Sequence, residues 1–162
     1  MNRRLGLRIL NIISIAMVIG LAVVIVVSMS GEKESSSSLT AVSGAVSGLF
    51  ENDKSSLSTE QMVRKYYGLN VQDYEGVVLY FPNSNMDARE LLLVKLSDAE
   101  QANEVLEAIE ERRQTQINVF EGYAPEQYNL YVNSVTDVQG GFVLFVVHPD
   151  ADRIDEAFRG AL

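Results

Sequence analysis

The sequence predicts an α+β fold: a four-stranded, mostly antiparallel sheet built from two strand-strand-helix units, with helices packed on it and one transmembrane helix ahead of it. Three observations carry that expectation. Four runs rich in branched and aromatic residues, 77–81, 90–96, 134–138 and 142–147, come in pairs joined by short turn-forming segments. Each pair leads into an Asp followed by residues in helical spacing, Asp98 after the first and Asp150 after the second. Ahead of both, residues 9–31 form a run of 23 without a single charge.

That run comes first in the chain. A helix rises about 1.5 Å per residue, so the run spans a hydrocarbon core of ~30 Å. Val23 to Val27 leaves no polar face, unlike a helix that packs on a soluble core. Arg3, Arg4 and Arg8 precede the run and Glu32-Lys33-Glu34 follows it, which places residues 1–8 as a cytoplasmic basic stub and the bulk of the chain outside. A cleaved signal peptide is the competing reading, because Ser28-Met29-Ser30 before Gly31 has small residues at cleavage spacing. The apolar run is longer than the roughly 7–15 residues of a signal core, which favours an uncleaved anchor. Ala16 and Gly20 have the spacing that lets transmembrane helices approach closely, so a structural subunit with paired anchors is a third possibility. Residues 32–38 read as a Ser-rich tether, and 39–162 as one extracytoplasmic domain, large enough to bury its own core.

All 22 acidic residues follow the apolar run and three of the 13 basic ones precede it, which leaves 22 against 10 beyond it, a formal balance of −12. Such a surface repels nucleic acid and anionic headgroups, so neither is an expected partner of the domain. The chain has no cysteine, hence no disulfide, no thiol nucleophile and no lipid-modified N-terminal cysteine.

Within the domain, Leu39, Val42, Val46, Leu49 and Phe50 follow helical spacing over residues 39–50. Ser58-Thr59-Glu60-Gln61 reads as a capping box with Ser58 as the cap. Met62, Val63, Tyr66 and Tyr67 then make an apolar face, and Gly68 ends that helix. The strand 77–81 stops at Pro82, and Asn83-Ser84-Asn85 is turn chemistry before the nearly all-apolar strand 90–96. From Asp98, a long helix carries Ala102, Val105, Leu106, Ile109, Gln116, Ile117 and Phe120 on one face. Its expected solvent side is Glu104, Glu107, Glu110, Glu111, Arg112 and Arg113. Gly122 ends it and Pro125 starts a short helix. Ser134 to Val138 alternates as a half-buried strand, Gly140-Gly141 makes a tight turn, and 142–147 is a buried strand. Asp150 then caps a last helix through Phe158.

Four motifs stand out in order along the outer part: Tyr67-Gly68-Leu69, Ser84-x-Met86-Asp87-Ala88-x-Glu90-Leu91, Phe120-Glu121-Gly122-Tyr123-x-Pro125-x-Gln127, and the strand entry Gly141-Phe142-Val143-Leu144. In these the outer part resembles domain of unknown function 4358, an uncharacterised family of extracytoplasmic proteins of Gram-positive bacteria. It implies a compact tethered domain and no particular activity. Members of the family often carry a lipid-attachment cysteine. This chain has none, which fits the transmembrane anchor.

Few constellations carry chemistry. There is no Gly-x-Ser-x-Gly elbow, phosphate-cradling glycine loop or His-Glu-x-x-His. His148, the single histidine, lies near Asp150, Asp152, Asp155 and Glu156, but strand-end and helix-cap roles account for these residues, so no metal and no cofactor is expected. Ser84, Asp87 and Glu90 supply hydroxyl and carboxylate groups in the first hairpin connection. Tyr123, Pro125 and Gln127 follow the long helix, where tyrosine combines an apolar body with a polar tip suited to an interface. These six are the expected ligand or partner surface, and no residue is assigned a catalytic role. The expectation is a membrane-anchored extracytoplasmic binding or interaction module at the cell surface, whose partner is another envelope protein or a polar ligand. The alternative is a cell-envelope hydrolase or lyase built on a carboxylate pair, Glu110–Glu111 or Glu121–Glu126.

Overall fold

The computed structural model describes residues 36–48, 50 and 55–162. The chain divides between Lys33 and Glu34 into two units, and all described residues belong to the second. The expected anchor, 9–31, lies outside them, as do the basic stub and most of the tether. Among the described residues no helix is long and apolar enough to cross a membrane.

The elements follow in the order α1 (Leu39–Ser47), β1 (Ser55–Leu57), α2 (Glu60–Tyr67), a 3-10 turn (Val71–Asp73), β2 (Gly76–Pro82), β3 (Glu90–Lys95), a 3-10 turn (Ala99–Gln101), α3 (Ala102–Phe120), α4 (Pro125–Val132), β4 (Val135–Gln139), β5 (Phe142–Val147) and α5 (Ala151–Gly160). The sheet order is β1-β2-β3-β5-β4, with every neighbouring pair antiparallel. The two expected strand-strand-helix units are present as β2-β3-α3 and β4-β5-α5, joined through β3 and β5. A fifth strand, β1, corrects the expected four. It is three residues long and pairs with the end of β2, a contact made by backbone groups that no apolar alternation announces.

Both sheet faces are covered, which explains why β3 and β5 are apolar almost throughout. Leu92 and Val94 of β3 join Val143, Phe145 and Val147 of β5 in one core beneath α2, α3 and α4. Leu91 and Leu93 join Phe142, Leu144 and Val146 in a second core beneath α1 and α5. The register supports this division, because Leu92 lies opposite Phe145 and Leu93 opposite Leu144, so each pair sends its side chains to one face.

Local signals set the element ends. Gly68 closes α2 in the left-handed region at φ 71°, and its N–H donates to Arg64 O at 3.0 Å. Gly140 and Gly141, at φ 61° and 81°, form the two-residue turn that brings Gln139 opposite Phe142. Asp98 and Gln101 make a reciprocal capping box at the entry to the long helix. Two expected caps differ from the structure. The N-cap of α2 is Thr59, not Ser58, and no side chain caps it. Asp150 is at the N-cap of α5, but its side chain makes no cap bond; its backbone N–H instead donates to His148 Nδ1 at 3.0 Å.

Candidate functional site

The two stretches singled out in the sequence lie about 35 residues apart and meet in space. The β2–β3 connection is held by its own side chains. Ser84 Oγ accepts from the Met86 N–H at 3.2 Å, and Asp87 Oδ1 accepts from Arg89 N–H and Nε at 3.1 and 2.9 Å. The α3–α4 corner turns at Gly122, φ 84°, and Pro125 opens α4. Gln127, on the first turns of α4, reaches across and accepts the buried Ala88 N–H on Oε1 at 2.8 Å. Tyr123 OH lies 3.8 Å from Met86 Sδ.

Between the connection and the corner lies a cleft of about 330 Å³, lined by Tyr66, Phe81, Pro82, Ser84, Asn85, Met86, Asp87, Arg112, Gln116, Val119 and Tyr123. Met86, Val119 and Tyr123 are 60%, 49% and 53% exposed, three of the five large apolar side chains left exposed among the described residues. An exposed apolar group at the rim of a concavity marks a contact surface more than an isolated one does. Ser84, Asp87 and Tyr123 thus line the cleft. Gln127 braces its wall, and Pro125 sets the helix that carries Gln127.

Glu90 is placed differently from expectation. It is the first residue of β3, not part of an exposed loop, and is 0% exposed. Strand alternation puts it on the face of Leu92 and Val94, under α3. There it meets Arg112, whose Nη2 and Nε donate to its two oxygens at 2.8 and 3.2 Å. Tyr67 OH donates to Glu90 Oε1 at 2.8 Å, and Tyr131 OH is 3.5 Å from Arg112 Nη2. Arg112 is therefore no solvent-side residue; it is 8% exposed. Its guanidinium carbon lies 5.1 Å from the Tyr66 ring centre and 5.2 Å from that of Phe81, and these two rings stack on each other at 4.3 Å. The signal was in the helical spacing: Val105, Ile109, Arg112, Gln116 and Phe120 form one continuous i+3/i+4 stripe.

The electrostatics of this cluster follow from burial. Burial and then the Glu90 charge push the Tyr67 phenol well above its usual range, and Tyr131 rises for the same two reasons. Burial alone pulls the Arg112 guanidinium down, but the hydrogen bond and charge of Glu90 outweigh it and hold the proton more tightly than usual. The phenols stay neutral donors and the cation stays charged at any physiological pH. Glu90, Tyr67 and Tyr131 fix the orientation of Arg112 and leave its Nη1 with no protein acceptor among the described residues.

A second hollow of about 360 Å³ adjoins the first and shares Tyr66 and Arg112 with it; Arg64, Lys65, Tyr67, Gly68, Ala108, Glu111 and Thr115 complete its lining. Of the carboxylates proposed for the hydrolase alternative, Glu110 is held by Arg113 at 2.8 Å and Glu111 lines this second hollow. Glu121 and Glu126 line neither hollow. His148 is buried against Phe50, with ring centres 5.2 Å apart.

A family model described as Domain of unknown function (DUF4358) matches residues 49–148. The chain belongs to the DUF4358 family. The matched region of the DUF4358 domain runs from β1 through β5 and contains every residue of both hollows, whereas α1 and α5 lie outside it. No curated protein and no solved structure matches the chain.

Proposed function

We propose that this DUF4358 protein is a membrane-anchored, extracytoplasmic binding module and that its binding site is the cleft between the β2–β3 connection and the α3–α4 corner. One observation carries the reading: residues 84–87 and Tyr123, distant in sequence and both bearing the family resemblance, line a single concavity that collects Met86, Val119 and Tyr123 at its rim. Interfaces enrich tyrosine, methionine and arginine, and all three are here around a rigid, hydrogen-bonded wall. The location rests on the uncharged run 9–31, the arginines before it and the acidic domain after it.

The test is a photoreactive side chain at the cleft rim, Val119→p-benzoylphenylalanine, in the full chain in its own cells. Irradiation is expected to give an adduct of higher mass. The same probe at Glu107, exposed on α3 and outside both hollows, is expected to give none. Equal or absent adducts at the two positions contradict a cleft-based function. A membrane-impermeant protease added to intact cells checks the location, with loss of a C-terminal tag as the expected outcome.

A further inference from the structure

The chemistry of the two hollows narrows what enters them. We propose that the occupant is an extended, acidic segment of a partner protein, with an apolar side chain in the Met86–Val119–Tyr123 hollow, a carboxylate in the Arg64–Lys65 hollow and a backbone carbonyl on Arg112 Nη1. The proposal rests on the cleft being the binding site.

Charge complementarity argues first. In a chain with a formal balance of −12 beyond the apolar run, the second hollow gathers Arg64, Lys65 and Arg112 against one acid, Glu111. Arg112 is already paired with Glu90, whereas Arg64 and Lys65 pair with no carboxylate among the described residues. Arg64 donates to the neutral Asn70 side chain at 2.9 Å, and Lys65 lies over the Tyr66 ring at 4.9 Å. Screening over about 8 Å lets such a local pair of cations outweigh the distant acids of the domain. An incoming carboxylate therefore finds its partners in this hollow.

The state of Arg112 argues second. Glu90 neutralises its charge, and four aromatic side chains, Tyr66, Tyr67, Phe81 and Tyr131, surround the pair, so a second anion on Nη1 is left without a counter-charge. A neutral carbonyl takes the remaining N–H without that cost, and a peptide backbone supplies one at every residue. An extended peptide also places alternate side chains on one face about 7 Å apart, which suits two hollows that share a wall.

The rim argues third. Met86 and Val119 are aliphatic, and a methionine adapts to varied apolar side chains. A sugar stacks on flat aromatic faces; in this cleft Tyr66 is already covered by Phe81 and by the Arg112 guanidinium, and Tyr123 stacks on Phe120, which leaves it one open face.

The experiment extends the Val119→p-benzoylphenylalanine probe by identifying the adduct through mass spectrometry and by adding the double change Arg64→Glu and Lys65→Glu. Both changed residues are exposed, and the unfolding midpoint of the variant is measured alongside to show that it is folded. The expected adduct is a peptide of a second protein that carries an acidic residue within a few positions of an apolar one. Charge reversal is expected to lower its yield about tenfold. A glycan or lipid adduct, an adduct with a second copy of this chain, or a peptide adduct indifferent to the charge reversal overturns the acidic-segment proposal and leaves the cleft as a binding site. No adduct at Val119 overturns both.

Discussion

Arg112 links the core to the cleft, and its behaviour follows from its buried partner. Removing one member of a buried ion pair strands the other charge, at a cost of about 3–5 kcal/mol. Arg112→Met is therefore expected to lower the unfolding free energy by that amount, because Glu90 at 0% exposure has no access to water. Changing Glu90→Leu in the same chain is expected to recover most of the loss, which denaturant unfolding of the three proteins measures. Asp155 offers a second test. Burial first, then the adjacent Asp137 carboxyl, raise its pKa from 3.8 to about 6, while Arg159, 3.1 Å away, pulls in the opposite direction. An acid whose folded pKa is raised stabilises the fold below its unfolded pKa and loses that contribution as pH rises through the folded value. The stability attributable to Asp155 is thus expected to fall between about pH 4 and pH 6. Asp155→Asn is expected to be more stable than the parent by about 1 kcal/mol at pH 7, after allowance for solvent screening, and no more stable at pH 4. A parent-minus-variant difference that is flat with pH contradicts this account. Residues of this kind were the hardest to read from sequence. Both Glu90 and Arg112 are charged residues that look solvent-facing by type, and position alone gives them away: strand parity with Leu92 for one, the Ile109–Gln116 stripe for the other.

At the scale of elements, most of the fold was legible because its signals are local. The strands β2 to β5, the Asp98 cap, the Gly68 stop and the Gly140-Gly141 turn each depend on a few neighbouring residues. Short β1 was not legible, since Ser55-Ser56-Leu57 has neither length nor alternation and pairs because the β2 edge offers backbone partners. The meeting of the β2–β3 connection with the α3–α4 corner was not legible either. It depends on how α3 crosses the sheet, and the sequence shows the face α3 buries but not the direction in which it runs. The bond from Ala88 N–H to Gln127 Oε1 locks the two elements together. Gln127→Ala leaves a buried amide without an acceptor and is expected to cost about 1–3 kcal/mol, whereas Gln127→Glu keeps an acceptor and costs less. Amide exchange at Ala88 is the direct check: fast exchange in the alanine variant is expected, and protection there equal to the parent contradicts the bracing role.

At the scale of the whole molecule, both faces of the sheet are filled, and three of the five large apolar side chains left exposed among the described residues gather at the rim of the cleft proposed for binding. A rim side chain of this kind contributes little to stability, since about half of it already faces water. The proposed binding and the folding therefore separate at the rim as they do not at Glu90 or Arg112. The most direct measurement is the yield of the Val119 photo-adduct in chains that also carry Tyr123→Ala or Met86→Ala, with the unfolding midpoint determined for each. The account predicts that the adduct is lost in both while the unfolding free energy stays within about 1 kcal/mol of the parent. An adduct that survives both changes in a folded chain would contradict the cleft as the site where this protein meets its partner.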